Sequence, residues 1–172
     1  MQENKENSEI NTLKFWLPSV FILILALYWG LNRGNYTLID TADLIIHEAG
    51  HLFFWIFGRF IYMSGGTLMQ ILFPSLIAFY FFWNNYKTGV QFSLVWLGQN
   101  FVNISVYAAD ARAHKLPLLG GKKVLHDWTY LLTELGILEF DQEVGYFFFA
   151  IAGIIFFIAV FLPAWWRQLS LA

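Results

Sequence analysis

Apolar residues gather in five long runs along the chain, and short polar segments separate them. A helix needs about 20 mostly apolar residues to cross the hydrocarbon core of a bilayer, and these runs approach that length. Since lipid offers no hydrogen bonds to free backbone groups, such segments are expected to be helices. The pattern predicts an all-α integral membrane protein with a polar N-terminal tail, residues 1–14, and one transmembrane domain, residues 15–172. The five predicted spans cover about residues 15–31, 37–58, 67–83, 90–109 and 144–162, with a polar loop at 110–143.

The second run is a poor span on hydropathy alone, because five ionisable residues interrupt it. Four of them, Asp40, Asp43, His47 and His51, share one helical face at positions i, i+3, i+7 and i+11. Ionisable groups in an apolar segment are costly unless they have partners, so this face is expected to point into the protein and to be functional. Asp43 precedes His47 by one turn, where it could accept the free ring N–H of that imidazole.

Residues His47 to His51 read H-E-A-G-H, which has the form H-E-x-x-H. Residues four apart lie one turn above each other on a helix, so both imidazoles can bind one Zn²⁺ from the same side. Glu48 is one position round, where it can act as a general base on a water at the metal. We therefore predict a zinc site with His47 and His51 as ligands and Glu48 as the catalytic residue.

Other polar residues could support this site. The fourth span carries a stripe that includes Gln99, Asn103 and Asp110, and its polar groups would face other helices rather than lipid. Simple hydrogen bonding between helices is the plainer explanation for Gln99 and Asn103. Ahead of the third span, Gly66 could let the backbone approach the site closely. The residues expected to support the site or contact a substrate are Asp43, Gly66, Gln70 and Asn103.

The composition supports a membrane protein and excludes several functions. Of the 172 residues, 58% are hydrophobic and 13% are charged, which is about half the charge of a soluble domain. The net charge of −2 gives no indication of nucleic-acid binding. The absence of cysteine excludes thiolate metal sites and cysteine nucleophiles. Four histidines are too few for the histidine-rich di-iron membrane hydroxylases.

Lysine and arginine are distributed unequally between the two sides of the five-span arrangement. With the N-terminus inside, the inner segments carry seven of them and the outer segments three. The positive-inside rule therefore favours a cytoplasmic N-terminus and an external C-terminus. The second and fourth spans then both run inward, the 110–143 loop is cytoplasmic, and the metal site lies between helices near the cytoplasmic side.

An H-E-x-x-H within a membrane span, followed by an acidic residue at the inner end of a later span, resembles the site-2 protease family of intramembrane zinc metalloproteases. The matching residues are His47, Glu48 and His51, and the stretch from Asn103 to Asp110 is the nearest equivalent of the family's N-x-x-P…D-G segment. This stretch has no proline, and alanine rather than glycine follows the aspartate. The chain also resembles small bacterial membrane proteins with H-E-A-G-H and a later H-D-W. These resemblances imply a zinc endopeptidase of the bacterial inner membrane that cleaves membrane-embedded proteins.

The sequence leaves several candidates for the third metal ligand. The family resemblance favours Asp110, which lies at the inner end of the fourth span. His126 is the main alternative, and Asp127 and His114 in the same loop also compete. Because a Gly-Gly turn precedes His126 and Asp127, we expect these two residues to cap the site or contact the substrate.

Two other functions compete with a zinc peptidase. The first is a metal-binding membrane protein without proteolytic activity, acting as a sensor or scaffold. The second is an ion or metal transporter, since buried Asp and His residues also mark ion paths. The five spans show no inverted repeat, which disfavours transport.

Overall fold

The computed structural model describes the backbone of residues 2–117 and 125–169, and the side chains of residues 13–117 and 125–166. Helices account for nearly all of this part of the chain, and the described residues contain no strand. The helices are α1 (Gln2–Leu31), α2 (Leu38–Phe54), α3 (Arg59–Trp83), α4 (Lys87–Ala109), α5 (Asp127–Glu134) and α6 (Asp141–Leu169). Short 3₁₀ turns at Trp55–Phe57 and Leu138–Phe140 lead into α3 and α6.

In the part of the chain that the structure describes, three segments are long and apolar enough to cross a membrane, namely Leu13–Leu31, Arg59–Trp83 and Leu138–Trp166. The predicted all-helical fold is therefore confirmed, and these segments are consistent with a membrane location. Among the described helices, α2 and α4 do not meet the same requirements for length and hydropathy. The reason is that α2 has only 17 residues and that both helices carry many buried polar side chains. The five-span arrangement stays a prediction.

The two largest differences from the predicted boundaries are at the starts of α3 and α1. The third span was expected to begin at residue 67, after a glycine-containing loop, but α3 is already helical from Arg59 and includes both glycines of Gly65-Gly66. The N-terminal residues up to 14 continue α1 back to Gln2. In both cases the helix continues through residues whose polarity or glycine content had indicated a break.

The central helix of the fold is α4. It packs most extensively along α6 and also contacts α1 and α3, and Phe101, Val102 and Ile104 are among its buried core residues. In contrast, α2 packs mainly on α3 and contacts α4 only sparsely. The result is a cavity between α2 and α4, with the polar face of α2 on one of its walls.

The α1–α2 turn is anchored by Arg33. Its guanidinium group donates two hydrogen bonds to Ser105 on α4, to Oγ and to the carbonyl oxygen, both at 3.0 Å. The same group lies over the rings of Tyr146 and Phe149 on α6, 5.4 and 5.0 Å from their centroids. These contacts fix the start of α2 relative to α4 although the two helices hardly pack on each other.

The helices α2 and α3 cross very closely at Gly50 and Gly65. A Cβ atom on Gly50 would collide with the Gly65 carbonyl group and with the Cβ of Met69, and one on Gly65 would lie 2.7 Å from the Gly50 carbonyl oxygen. Glycine is therefore required at both positions for the backbones to approach this closely. The crossing places the first half of α3 directly against the H-E-x-x-H turn.

The short helix α5 closes the fold on the loop side. Its residues Trp128, Leu131 and Leu132 are buried in one cluster with Met63 of α3 and Ile104 of α4. A hydrogen bond from Thr129 Oγ1 to the carbonyl oxygen of Ala111 ties the first turn of α5 to the end of α4. The first residue of α5 is thus held in a defined position.

We expect a Gly50→Ala substitution to destabilise the protein by about 1–3 kcal/mol, because the new methyl group would meet backbone atoms of α3 that cannot move away. Gly153→Ala on α6 is the matched control, since a Cβ there meets nothing within 4 Å. It should leave stability unchanged or raise it by about 0.5–1 kcal/mol through helix propensity. Thermal unfolding in detergent measures both, and equal stability of the two variants would refute the close crossing.

Candidate metal centre

The two histidines of α2 point their rings to a common point. His47 and His51 are one turn apart, and their ring centroids are 4.9 Å apart. Their Nε2 atoms are separated by 3.2 Å. His47 is buried and His51 is partly buried, and both line the same cavity. This is the arrangement that the H-E-x-x-H spacing predicts.

Asp127, the first residue of α5, completes a group of three. Its Oδ2 lies 2.9 Å from His47 Nε2 and 3.1 Å from His51 Nε2. In a tetrahedral site with bonds of about 2.0–2.1 Å, neighbouring ligand atoms are separated by about 3.3 Å. The three observed separations are close to that value. Among the described residues, His47, His51 and Asp127 form the one group of three that could hold a metal ion.

Both imidazoles are oriented by carbonyl oxygens on α3. His47 Nδ1 lies 2.9 Å from Gln70 Oε1, and His51 Nδ1 lies 2.8 Å from the backbone oxygen of Tyr62. A backbone carbonyl can only accept, so His51 must carry a proton on Nδ1, and the neutral ring then has a lone pair on Nε2. With the same tautomer at His47, two lone pairs and a carboxylate oxygen converge within about 3 Å of each other. Such a convergence is stabilised by a cation, and carbonyl support of this kind is typical of metal-binding histidines.

The support of His47 continues through a chain of buried amides. Gln70 Nε2 donates to Asn103 Oδ1 at 3.1 Å, and Asn103 Nδ2 donates to Asp40 Oδ1 at 3.1 Å. The other oxygen of Asp40 accepts from the backbone N–H and the hydroxyl of Thr37, each at 2.6 Å, at the start of α2. The amide orientation of Gln70 is thereby fixed, with its oxygen toward His47. The sequence prediction that Gln70 and Asn103 support the site agrees with this geometry.

Gly66 has a steric role at the site. A Cβ on this residue would collide with the imidazole ring of His47. Its lack of a side chain lets α3 lie directly under the ring, as the predicted close approach of the backbone requires. Because residues 65 and 66 are within α3, their backbone groups are engaged in the helix and do not form an exposed edge.

Contacts at the N-terminus of α5 hold Asp127 next to His47 and His51. His126 caps the helix, because its Nδ1 accepts a hydrogen bond of 3.4 Å from the backbone N–H of Thr129. The backbone N–H of Asp127 itself donates to the hydroxyl oxygen of Tyr107 at 3.3 Å. With the buried cluster of α5 behind it, the carboxylate is held against both histidines rather than free in the loop.

The charge state of Asp127 suits metal binding. Burial favours its protonated form, but hydrogen bonds from His47 Nε2 and His51 Nε2, when these atoms carry protons, outweigh burial and hold the pKa of this carboxyl below its ordinary value; a bound cation would take the place of those protons. Asp127 is therefore a carboxylate at neutral pH. Burial also lowers the pKa of His126, which keeps that ring neutral and able to accept the capping hydrogen bond.

The structure assigns Asp110 a different role from the predicted one. Its carboxylate accepts hydrogen bonds of 2.9 Å from the backbone N–H groups of Lys115 and Leu116, and lies 3.7 Å from His126 Nε2. It therefore organises the loop after α4, and Asp127 replaces it as the candidate third ligand. The sequence had placed Asp127 among the alternatives but expected it to act in a cap.

The other two loop histidines support Asp127 indirectly. His114 Nε2 lies 2.8 Å from the Ala111 carbonyl oxygen and 2.9 Å from Thr129 Oγ1, and its ring stacks on His126 at a centroid distance of 5.3 Å. Neither ring belongs to the group of described residues that could hold a metal ion. Both rings instead hold the N-terminus of α5 next to the end of α4.

The predicted hydrogen bond between Asp43 and His47 is not present in the structure. Its Oδ1 accepts hydrogen bonds from Trp96 Nε1 at 2.8 Å and from Asn100 Nδ2 at 3.2 Å, both on α4. The Nδ1 of His47 faces Gln70 instead, because the glycine crossing brings α3 to that side of the ring. Asp43 therefore joins α2 to α4 and does not orient the ligand.

Glu48, which follows His47 on α2, is exposed and lines a cavity of about 410 Å³. The walls of this cavity include all three candidate ligands, and α4 contributes Val102, Asn103, Val106 and Tyr107. Sequence reasoning missed Tyr107, although it lies two turns after Gln99 on the same polar stripe. It also missed Tyr62, whose contribution is a backbone carbonyl and leaves no signal in residue type.

The described helices and this group define the class of the molecule. It is an all-helical protein with three candidate membrane-spanning helices and a His47, His51 and Asp127 group that could hold a metal ion. Comparisons with protein-family models, with curated proteins and with solved structures found no match for this chain.

We expect an Asp127→Ala substitution to lower zinc affinity at least tenfold, because it removes one of three converging ligand atoms. Asp110→Ala should have a smaller effect, since that carboxylate bonds to loop backbone groups. Glu134→Ala, at the exposed end of α5, is the neutral control. Zinc titration of the purified variants measures all three. If Asp110→Ala lost zinc affinity and Asp127→Ala kept it, Asp110 rather than Asp127 would be the third ligand.

Proposed function

We propose that this protein is an intramembrane zinc metallopeptidase. The observation that carries the proposal is the convergence of His47, His51 and Asp127 at the wall of a cavity to which the Glu48 carboxylate is also exposed. Three protein ligands with an acidic side chain nearby is the composition expected of a hydrolytic rather than a closed structural site. The resemblance of H-E-A-G-H to the site-2 protease motif supports the same class.

Zinc is the metal that this donor set favours. Two imidazole nitrogens and one carboxylate oxygen in a tetrahedral arrangement suit Zn²⁺, and a three-ligand set leaves one position open. Magnesium and calcium prefer sites built from oxygen atoms alone, which this group is not. When bound, the metal would polarise a substrate carbonyl and make a water molecule more acidic.

Glu48 supplies the acid–base chemistry. Its carboxylate takes a proton from the attacking water while the water oxygen forms a bond to the peptide carbonyl carbon. As the C–N bond breaks, the same carboxyl group gives that proton to the leaving amine. An exposed carboxylate on the cavity wall has the freedom to perform both transfers.

The substrate class follows from the surroundings of the site. The cavity is lined by apolar residues such as Leu44, Val102 and Val106 together with polar groups, and its volume is in the range of ligand-binding pockets. A folded helix hides its carbonyl groups, so a membrane-embedded substrate must unwind locally to be cleaved. We therefore propose a locally extended segment of a membrane protein as substrate.

We also propose that α2 and α4 lie in the membrane, which gives five spans with a cytoplasmic N-terminus and an external C-terminus, in a bacterial inner membrane. The outer side of α2 supports this arrangement, because Ile45, Leu52 and Phe53 are exposed while Asp43 and His47 are buried. An apolar outer side with a polar inner face is what a helix in lipid requires. The site would then be near the cytoplasmic side.

We expect Glu48→Gln to keep zinc but to lose turnover by at least a hundredfold, because the amide cannot take a proton. Glu134→Gln, an exposed carboxylate on α5, is the matched control and should cleave like the wild type. The assay uses detergent-purified protein, a panel of membrane-spanning peptides, and zinc content as a second readout.

Two outcomes of that assay would contradict the proposal, the first the role of Glu48 and the second the peptidase activity. Wild-type cleavage by Glu48→Gln would mean that another group is the base. A zinc-loaded wild-type protein that cleaves none of the peptides would favour a metal-binding sensor or scaffold, for which the same three ligands suffice.

A further inference from the structure

Tyr107 is the residue of α4 that contacts the candidate metal centre most directly. Its hydroxyl oxygen accepts the hydrogen bond from the backbone N–H of Asp127. Its ring lies against the His47 ring at a centroid distance of 5.6 Å and against the His126 ring at 4.3 Å. Three separate contacts thus hold one phenol beside the ligand group.

The hydrogen-bond arrangement leaves the phenol proton to be donated. A tyrosine hydroxyl has one proton and can also accept, and the Asp127 N–H occupies an acceptor position. The proton is then directed either to the Asp127 carboxylate or to an oxygen atom in the cavity. Tyr107 lines that cavity together with Glu48 and the three candidate ligands, so both acceptors are within the same space.

A donor placed in this way is useful wherever negative charge develops on oxygen. Stabilisation of an oxyanion requires donors that are already positioned before the charge appears, and tyrosine hydroxyls can serve as such donors. The phenol of Tyr107 is positioned by His47, His126 and the Asp127 backbone before any ligand binds. It is also neutral, so it adds no charge to a site that already carries two carboxylates.

We propose that Tyr107 donates a hydrogen bond to an anionic ligand oxygen in the cavity. The identity of this oxygen rests on the proposed function, in which it is the former carbonyl oxygen of the substrate. The water oxygen bonds to the carbonyl carbon, the π electrons move to the carbonyl oxygen, and Tyr107 shares but does not transfer its proton. When the C–N bond breaks, those electrons re-form the carbonyl and Glu48 protonates the amine.

The test uses the full chain in detergent, loaded with Co²⁺ so that metal and ligand binding are both visible in the absorption spectrum. Acetohydroxamate, a small anionic oxygen ligand, is titrated into the wild type and into Tyr107→Phe. We expect acetohydroxamate affinity to fall about tenfold, as for a lost hydrogen bond to a charged group, and cobalt affinity to fall less, because the buried cluster of α5 still holds Asp127 after its backbone N–H loses the Tyr107 acceptor. With a cleaved peptide, kcat should fall about a hundredfold while KM changes little.

Tyr130→Phe is the matched control. Tyr130 is on α5, one turn from Asp127, with its ring under the guanidinium group of Arg59 at 4.8 Å. It does not belong to the cavity lining, so loss of its hydroxyl should change neither affinity. Circular dichroism and thermal unfolding establish that both variants are folded.

The outcomes separate this inference from the proposed function. Unchanged acetohydroxamate affinity in Tyr107→Phe would overturn the inference, and so would a parallel loss of cobalt affinity, which would show that the phenol only holds Asp127. A wild-type protein that binds acetohydroxamate through Tyr107 but cleaves no peptide would refute the peptidase and support Tyr107 as a donor to ligand oxygen. A protein that takes up no cobalt would overturn both.

Discussion

The close crossing of α2 and α3 at Gly50 and Gly65 is the contact on which the candidate metal centre depends. Two backbones can approach this closely only without side chains between them. The crossing brings the Tyr62 carbonyl and the Gln70 amide to the two ring nitrogens that face α3. Each histidine then presents its other nitrogen to the cavity. A side chain at the crossing would move these acceptors away and leave the rings without a fixed orientation.

Because the residues that support His47 are buried or partly buried, each of their polar groups needs a hydrogen-bond partner. A buried donor or acceptor that loses its partner costs about 1–3 kcal/mol. This cost applies to each group in the hydrogen-bonded series that connects Thr37, through three side chains, to His47. The network of Asp40, Asn103 and Gln70 satisfies this requirement and also determines which atom of Gln70 meets the histidine. These polar groups would destabilise an apolar fold if they lacked partners, and here they orient His47, a candidate metal ligand.

The sequence predicted the parts of the site that are local to one helix. The spacing of His47 and His51 correctly placed both rings on one face, because helical pitch alone decides it. The third candidate ligand could not be predicted in this way. Asp127 reaches the site through the burial of Trp128 and Leu131 against α3 and α4, which is a tertiary contact between distant parts of the chain.

Asp43 illustrates the same limit on helical periodicity. It shares a face with His47, as predicted, but Trp96 and Asn100 on the neighbouring helix engage its carboxylate. A helical face several residues wide contacts more than one neighbour, and the period does not tell which neighbour each residue meets. The all-helical fold was predictable because apolar runs dominate the chain. The polar content of α2 and α4 is what separates three candidate spans from the predicted five.

The central claim is that His47, His51 and Asp127 hold one zinc ion. Zinc K-edge X-ray absorption of the purified wild-type chain, combined with elemental analysis, tests it most directly. The account predicts about one zinc per chain, with two imidazoles and oxygen ligands at about 2.0–2.2 Å. Zinc bound without imidazole scattering, or protein that retains no zinc after purification in chelator-free buffer, would contradict it.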